Sequence, residues 1–174
     1  MFGHTEKPSD WSTHIIKLRE IQKETGGITE FIPLPYVSME SPMYKRGKAR
    51  PGPTFSEVLL MHAVSRIALN PYINNIQASW VKLGKEGALS CLNAGVNDMG
   101  GTLMNESISR AAGSIHGQEF EANRMEEFIR NSGRIPQQRN TLYESIHSDE
   151  QSTKSYDVSL TPMQTFMDSA HPVV

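Results

Sequence analysis

Residues 96–118 read VNDMGGTLMNESISRAAGSIHGQ. Asn97, Asp98, Asn105 and Glu106 bring amide and carboxylate groups, Ser107 and Ser109 hydroxyls, and His116 an imidazole. Such groups donate and accept hydrogen bonds in combinations that suit a polar small molecule. The cluster is too polar for a core, and it follows a short apolar run. Loops after strands are where α/β proteins usually keep their chemistry. Gly100-Gly101 interrupts the run. One reading is close backbone approach, with N–H groups just beyond it taking a carboxylate. The other is a plain tight turn.

Other residues have the types for chemistry, each with a bland alternative. His4 and Glu6 could hydrogen-bond a ligand or move a proton, or form a solvated pair. Glu30, among apolar neighbours, either faces a ligand or pairs with a cation. Trp80 either stacks on a ring or fills the core. Lys82 either holds a carboxylate or is solvated. Arg110 stands one helical turn from Glu106 and suits an ion pair. His116 and Gln118 belong to a lid or to a packed surface loop. Lys45, Arg46, Lys48 and Arg50 form a basic run, as a mobile lid or a solvated loop. Met39, Met43, Met99 and Met104 are read as packing.

The elements that must position these groups follow from pattern. Residues 9–25 predict a helix capped by Ser9 or Asp10, with Trp11, Ile15 and Leu18 on one face and Gly26-Gly27 as the stop. Residues 28–32 predict a strand, closed by Pro33-Leu34-Pro35. Residues 36–53 are a long loop, a length often tied to function. Thr54 and Glu57 make a capping box for a helix to about Asn70, where Pro71 ends it. Val58, Met61, Ala63, Val64, Ile67 and Ala68 make that helix broadly apolar. In residues 73–80, Ile76, Ala78 and Trp80 alternate with polar neighbours, as a strand requires. A helix is expected from about Lys85 to Ala94, a short strand over 96–99, a weak helix over 107–112 and a firmer one over 122–131. Met125, Phe128 and Ile129 share one side of the last, and Gly133 terminates it. From about Ser145 the chain turns polar, and residues 145–174 are expected to be a disordered tail. Alternating strands and helices imply an α/β fold with parallel strands.

Composition narrows the function. A net charge of -2 argues against nucleic acid held by bulk electrostatics. No apolar run approaches the roughly 20 residues of a membrane span. The first residues lack the order of a signal peptide, so a cytoplasmic setting is expected. The single cysteine, Cys91, excludes an internal disulfide framework and a metal site built from several thiolates of this chain.

Several blocks, in this order, carry a resemblance: Met1-Phe2-Gly3-His4, Thr29-Glu30-Phe31-Ile32-Pro33-Leu34-Pro35, Gly52-Pro53-Thr54-Phe55, NIQASWVKLG from Asn75, NDMGGTLMNESISRAAG from Asn97, and His116-Gly117-Gln118. Over about residues 1–144 the chain resembles the radical-SAM FO synthases of deazaflavin (coenzyme F420) biosynthesis, in particular the CofH type. The resemblance implies the last three or so strand–helix units of a TIM-type (β/α) barrel. Such barrels place the active site at the C-terminal strand ends, here His4, residues 33–35, residues 79–82 and residues 97–101. The implied substrates are tyrosine and 5-amino-6-(D-ribitylamino)uracil, with hydrogen-bond partners among Gln77, Ser79, Asn97, Asp98, Asn105 and Glu106. Gly100 and Gly101 are the implied cofactor-binding positions, and His4 and Glu30 the catalytic candidates.

The implied cofactors are S-adenosyl-L-methionine and a [4Fe-4S] cluster held by a CxxxCxxC motif. This chain has no such motif. The expectation is therefore a C-terminal portion of the enzyme, inactive alone, whose missing N-terminal barrel half or CofG-type partner lies elsewhere. Two alternatives stay open. One is a non-catalytic half that pairs with a cluster-bearing subunit. The other is a related enzyme of the futalosine (menaquinone) pathway, against which the NESISRAAG block argues.

Overall fold

The computed structural model describes residues 1–103, 106–117 and 119–146. Its helices are α1 (Pro8–Thr25), α2 (Pro42–Lys45), α3 (Phe55–Leu69), α4 (Trp80–Asn93), α5 (Ile108–Ala111) and α6 (Ala122–Asn131). The chain divides into two compact units, Met1–Ala122 and a second beginning at Asn123.

In the first unit, four extended segments pair in parallel. Phe2 pairs with Pro35, Phe31 with Ile76, and Gln77 with Asp98. Each segment therefore neighbours the next in chain order, as repeated strand–helix units demand. The pairing is briefer than the sequence predicts. Pro33 and Pro35 have no N–H to give a ladder. Ile73 is still tied to α3, its N–H donating to the Leu69 carbonyl at 2.9 Å. Trp80 already belongs to α4. Alternation nevertheless holds: Ile73, Ile76, Ala78 and Trp80 are buried, and Asn75, Gln77 and Ser79 are partly exposed.

α1 starts one residue earlier than expected because Pro8 is pre-set for the first turn. The cap is Lys7, not Ser9 or Asp10; the Asp10 carboxylate instead accepts the Lys7 N–H at 2.8 Å. Trp11 and Ile15 face the core. Gly26, left-handed at φ 62°, closes the helix. α3 has the expected box: Glu57 N–H donates to Thr54 Oγ1 at 3.2 Å and Thr54 N–H to Glu57 Oε2 at 2.7 Å. Its buried face differs from the sequence pattern. Val58, Met61, His62, Ser65 and Leu69 point inward, while Leu60, Val64 and Ile67 are exposed. α3 packs against both α1 and α4.

α4 is broken at Gly84 (φ 72°, ψ 175°), giving one turn over residues 80–83 before the expected helix. The break has a packing cause. A Cβ at Gly84 would sit 3.1 Å from His116 Nδ1, and one at Gly117 would sit 2.6 Å from Val81 Cα. The His116–Gly117 loop therefore lies directly on the start of α4. In the second unit, α6 has the expected bounds, Met125 is buried, and Arg139 pairs with Ser145 in antiparallel fashion. The rest of the expected tail, residues 147–174, lies outside the described residues.

Candidate active site

The ends of the paired segments carry two clusters and a cleft. The first cluster is the turn after Phe2. Glu6 folds back and accepts the backbone N–H groups of Gly3, His4 (3.2 Å) and Thr5 (3.0 Å), and Trp11 Nε1–H at 2.7 Å. Its other close neighbour is His4, whose Nδ1 lies 2.8 Å from Glu6 Oε2. Burial by itself would raise the Glu6 carboxyl, but the Gly3 N–H and the other donors outweigh it and pull it down to about 2. The carboxylate thus closes the turn, with the imidazole beside it but not hydrogen-bonded to it.

Arg50, from the long loop, locks the same corner. Its backbone N–H donates to the His4 carbonyl at 2.9 Å and its Nε–H to the Gly3 carbonyl at 3.2 Å. Its Nη1 spans both Glu57 oxygens at 2.9 and 3.1 Å. That contact holds the Glu57 carboxyl below its ordinary range. The guanidinium also lies over the Trp11 ring, 5.6 Å from its centroid. The basic run is therefore anchored at this residue. Only the charge of Arg50 showed in the sequence; its partners come from three separate stretches.

The second cluster joins three segments. Gln77 Nε2 donates to Glu30 Oε2 at 3.4 Å, and Gln77 Oε1 faces Gly100 so closely that a Cβ there would lie 2.9 Å away. Gly100 (φ 76°) is thus required both by its conformation and by the Gln77 carboxamide. Asp98 Oδ1 accepts the Gly100 N–H at 2.6 Å. Glu30, Gln77 and the Asp98–Gly100 turn meet, although they come from three separate stretches of the sequence. Gly101 is exposed, with open space on its Cβ side, and its carbonyl accepts Trp80 Nε1–H at 3.1 Å. Trp80 is itself buried, edge-on to Phe120 at 5.3 Å, so it fills the core. Phe120 is fully buried and had no periodic pattern to mark it.

Other sequence candidates have structural duties. Asn97 Oδ1 accepts the Ile76 N–H at 2.9 Å and Arg66 Nη2–H at 2.7 Å, on the side of α3. Glu106 accepts the Ile108 N–H at 3.0 Å and the Ser109 N–H at 2.8 Å, so the start of α5 is already met by a carboxylate of the chain. Partial burial would raise the Glu106 carboxyl; those N–H donors and the charge of Lys82 lower it on balance. Ser79 caps α4 with its backbone, its carbonyl accepting the Lys82 and Leu83 N–H groups at 3.0 Å each. Asn105 and Gln118 lie outside the described residues.

The cleft lies beside these groups, with a volume of about 410 Å³. Leu34, Tyr36, Val37, Pro42 and Ala112 give it apolar walls, and Lys82 reaches it from the first turn of α4.

Residues 25–152 match the model of the CofH/MqnC C-terminal region. The chain belongs to that family. It is 51% identical over 146 residues to a 5-amino-6-(D-ribitylamino)uracil–L-tyrosine 4-hydroxyphenyl transferase of Methanopyrus kandleri, covering 84% of this chain and 40% of that protein. A Methanocaldococcus jannaschii protein of the same name is 48% identical, over 84% of this chain and 41% of its own length. An FO synthase of Mycobacterium leprae is 48% identical over 82% of this chain and 17% of that protein. The chain thus spans about 40% of the length of the transferases it matches.

The donor set of this family member does not fit a [4Fe-4S] cluster. Cys91 is fully buried, and burial pushes its thiol up to about 12, far from the thiolate a cluster needs. Among the described residues no three His, Cys, Asp or Glu side chains converge as metal ligands. Among them, too, no helix is long and apolar enough to cross a membrane.

Proposed function

We propose that this chain supplies the substrate-side portion of a CofH-type active site. There the 4-hydroxybenzyl group of tyrosine is joined to 5-amino-6-(D-ribitylamino)uracil. The observation that carries the reading is the set of parallel pairings in chain order, which brings Glu30, Gln77 and Asp98 together. That order suits an arc of a TIM-type barrel whose remaining strands are on other polypeptide, in a longer chain or a partner. The same outside segment brings the cluster's thiolates.

What this chain does is bind and orient. Glu30, Gln77, Ser79 and Asp98 offer the acceptors and donors that an aminouracil and its ribityl chain require. His4, its ring beside the Glu6 carboxylate, is the group that exchanges a proton with a ligand. Gly101 is the open stretch of backbone for S-adenosylmethionine.

The test combines this chain with the cysteine-bearing segment of a relative, reconstituted with iron and sulfide. Tyrosine, the aminouracil, S-adenosylmethionine and reductant are supplied. The expected result is coupled product from the combination and none from the 174-residue chain alone. Product from the chain by itself would count against the proposal. So would an inactive combination under conditions where the intact relative turns over.

A further inference from the structure

The cleft has walls of Leu34, Tyr36, Val37, Pro42 and Ala112, and its lining holds one basic residue, Lys82, and one acidic residue, Glu40. Each has a partner that a ligand can replace at low cost. Lys82 Nζ meets the neutral hydroxyl of buried Ser109. Glu106, the carboxylate nearest in charge, is already committed to the N–H groups of α5. Glu40 meets Lys45 on the surface, where both side chains are more than half exposed. Such exposed pairs contribute little. Tyr36 O–H donates to Ser41 Oγ, which uses the tyrosine's only donor.

An apolar cleft of this size with one cationic and one anionic side chain suits a zwitterion on an aromatic body. It does not suit a polyol chain, whose hydroxyls would be desolvated against Leu34, Val37 and Pro42 without partners. We propose that this cleft takes the amino-acid substrate, with Lys82 holding its α-carboxylate and Glu40 its α-ammonium. The ribitylaminouracil then belongs to the Glu30–Gln77–Asp98 cluster. In naming tyrosine, this assignment rests on the function proposed above.

The experiment is a binding titration on the 174-residue chain, by calorimetry and by amide shifts. The probes are L-tyrosine, tyramine and 3-(4-hydroxyphenyl)propionate. L-Tyrosine should bind about tenfold more tightly than tyramine, the worth of one charge-assisted hydrogen bond. Lys82→Met should weaken tyrosine by about the same factor and bring it level with tyramine, with Lys82→Arg restoring part of the loss. Glu40→Gln should remove the preference for tyrosine over the propionate. Far-UV circular dichroism establishes that each variant is folded. No saturable binding, equal affinity for tyrosine and tyramine, or unchanged affinity in folded Lys82→Met would each overturn the assignment.

Turnover in the combined enzyme separates this proposal from the last. Lys82→Met should raise KM for tyrosine and leave KM for the aminouracil alone. Product formation with an unchanged tyrosine KM overturns the cleft assignment and keeps the function. No product from the unaltered combination, with tyrosine binding still dependent on Lys82, overturns the function and keeps the cleft.

Discussion

Residues 96–117 hold a dense set of polar side chains, whereas residues 34–42 look like an ordinary proline-bounded loop. In the structure, much of the first set is already engaged with the chain itself. Asn97 holds Ile76 and Arg66, Asp98 holds the Gly100 N–H, and Glu106 holds the start of α5. Each of these acceptors meets a backbone donor, in an extended segment, a turn or a short helix, that would otherwise lack a partner. Residues 34–37, 40 and 42 make the wall of the cleft. An irregular segment consumes polar side chains on its own backbone, so polar density marks where the chain is hard to fold as readily as where it binds. A binding cleft needs mostly apolar wall and a few placed charges.

The largest effect that tests this contrast is at the contact of the polar stretch with α4. Gly117→Ala puts a Cβ 2.6 Å from Val81 Cα at φ 82°, so the chain should lose about 3 kcal/mol, read from the denaturant midpoint. An unchanged midpoint would mean that the loop does not rest on α4. Asn97→Ala is next. It leaves the Ile76 N–H without its acceptor, removes the Nη2 contact of Arg66, whose Nε and Nη1 keep the Gly95 and Asn74 carbonyls, and should cost about 2 kcal/mol. Tyrosine affinity should be unchanged, the reverse of Lys82→Met. A loss of affinity without a loss of stability would place Asn97 in the binding site instead.

Glu106→Gln should cost about 1 kcal/mol by removing the carboxylate that caps α5. Because its folded carboxyl is lowered, its contribution is full above the unfolded carboxylate range and is lost as pH falls below it. Glu6 behaves alike, with its contribution lost between about pH 4.5 and about pH 2. In acid melts, Glu6→Gln should flatten that window.

The smallest effect lies near neutral pH. His62 is fully buried in α3, with Nδ1 2.8 Å from the Val58 carbonyl, and burial lowers its pKa below the ordinary 6.5. The unfolded chain therefore binds a proton before the folded one does, and stability should decline as pH falls below 6.5. In His62→Phe that slope should vanish while the Glu6 window remains. A slope that persists would assign it to another group.

Local chemistry was legible wherever neighbours in the sequence decide the matter. The Thr54–Glu57 box, the stop at Gly26 and the bounds of α6 depend on contacts within a few residues, and they stand as read. So does the burial alternation of Ile76, Ala78 and Trp80. The Pro8 start was missed because the proline sits one position ahead of the residues read as caps. The inward face of α3 was not legible in its broadly apolar composition, because His62 and Ser65 are polar by type, yet they face inward. That is a matter of which neighbour a helix meets, not of its own hydrophobicity.

The sequence by itself determined the longer helices, though not α2 or the first turn of α4, the order of the extended segments and, through its blocks, the family. A lone cysteine also determined that this chain cannot supply several thiolates to one metal site. Only the tertiary structure decided which polar groups are already committed. Arg50 reaches Gly3, Glu57 and Trp11 from a loop tens of residues away from two of them. Lys82 meets a cleft walled by residues some forty positions earlier. The physical reason is that a hydrogen-bonding group has few directions to fill, and which partner fills them is set by the packing of distant segments, which no local spacing encodes.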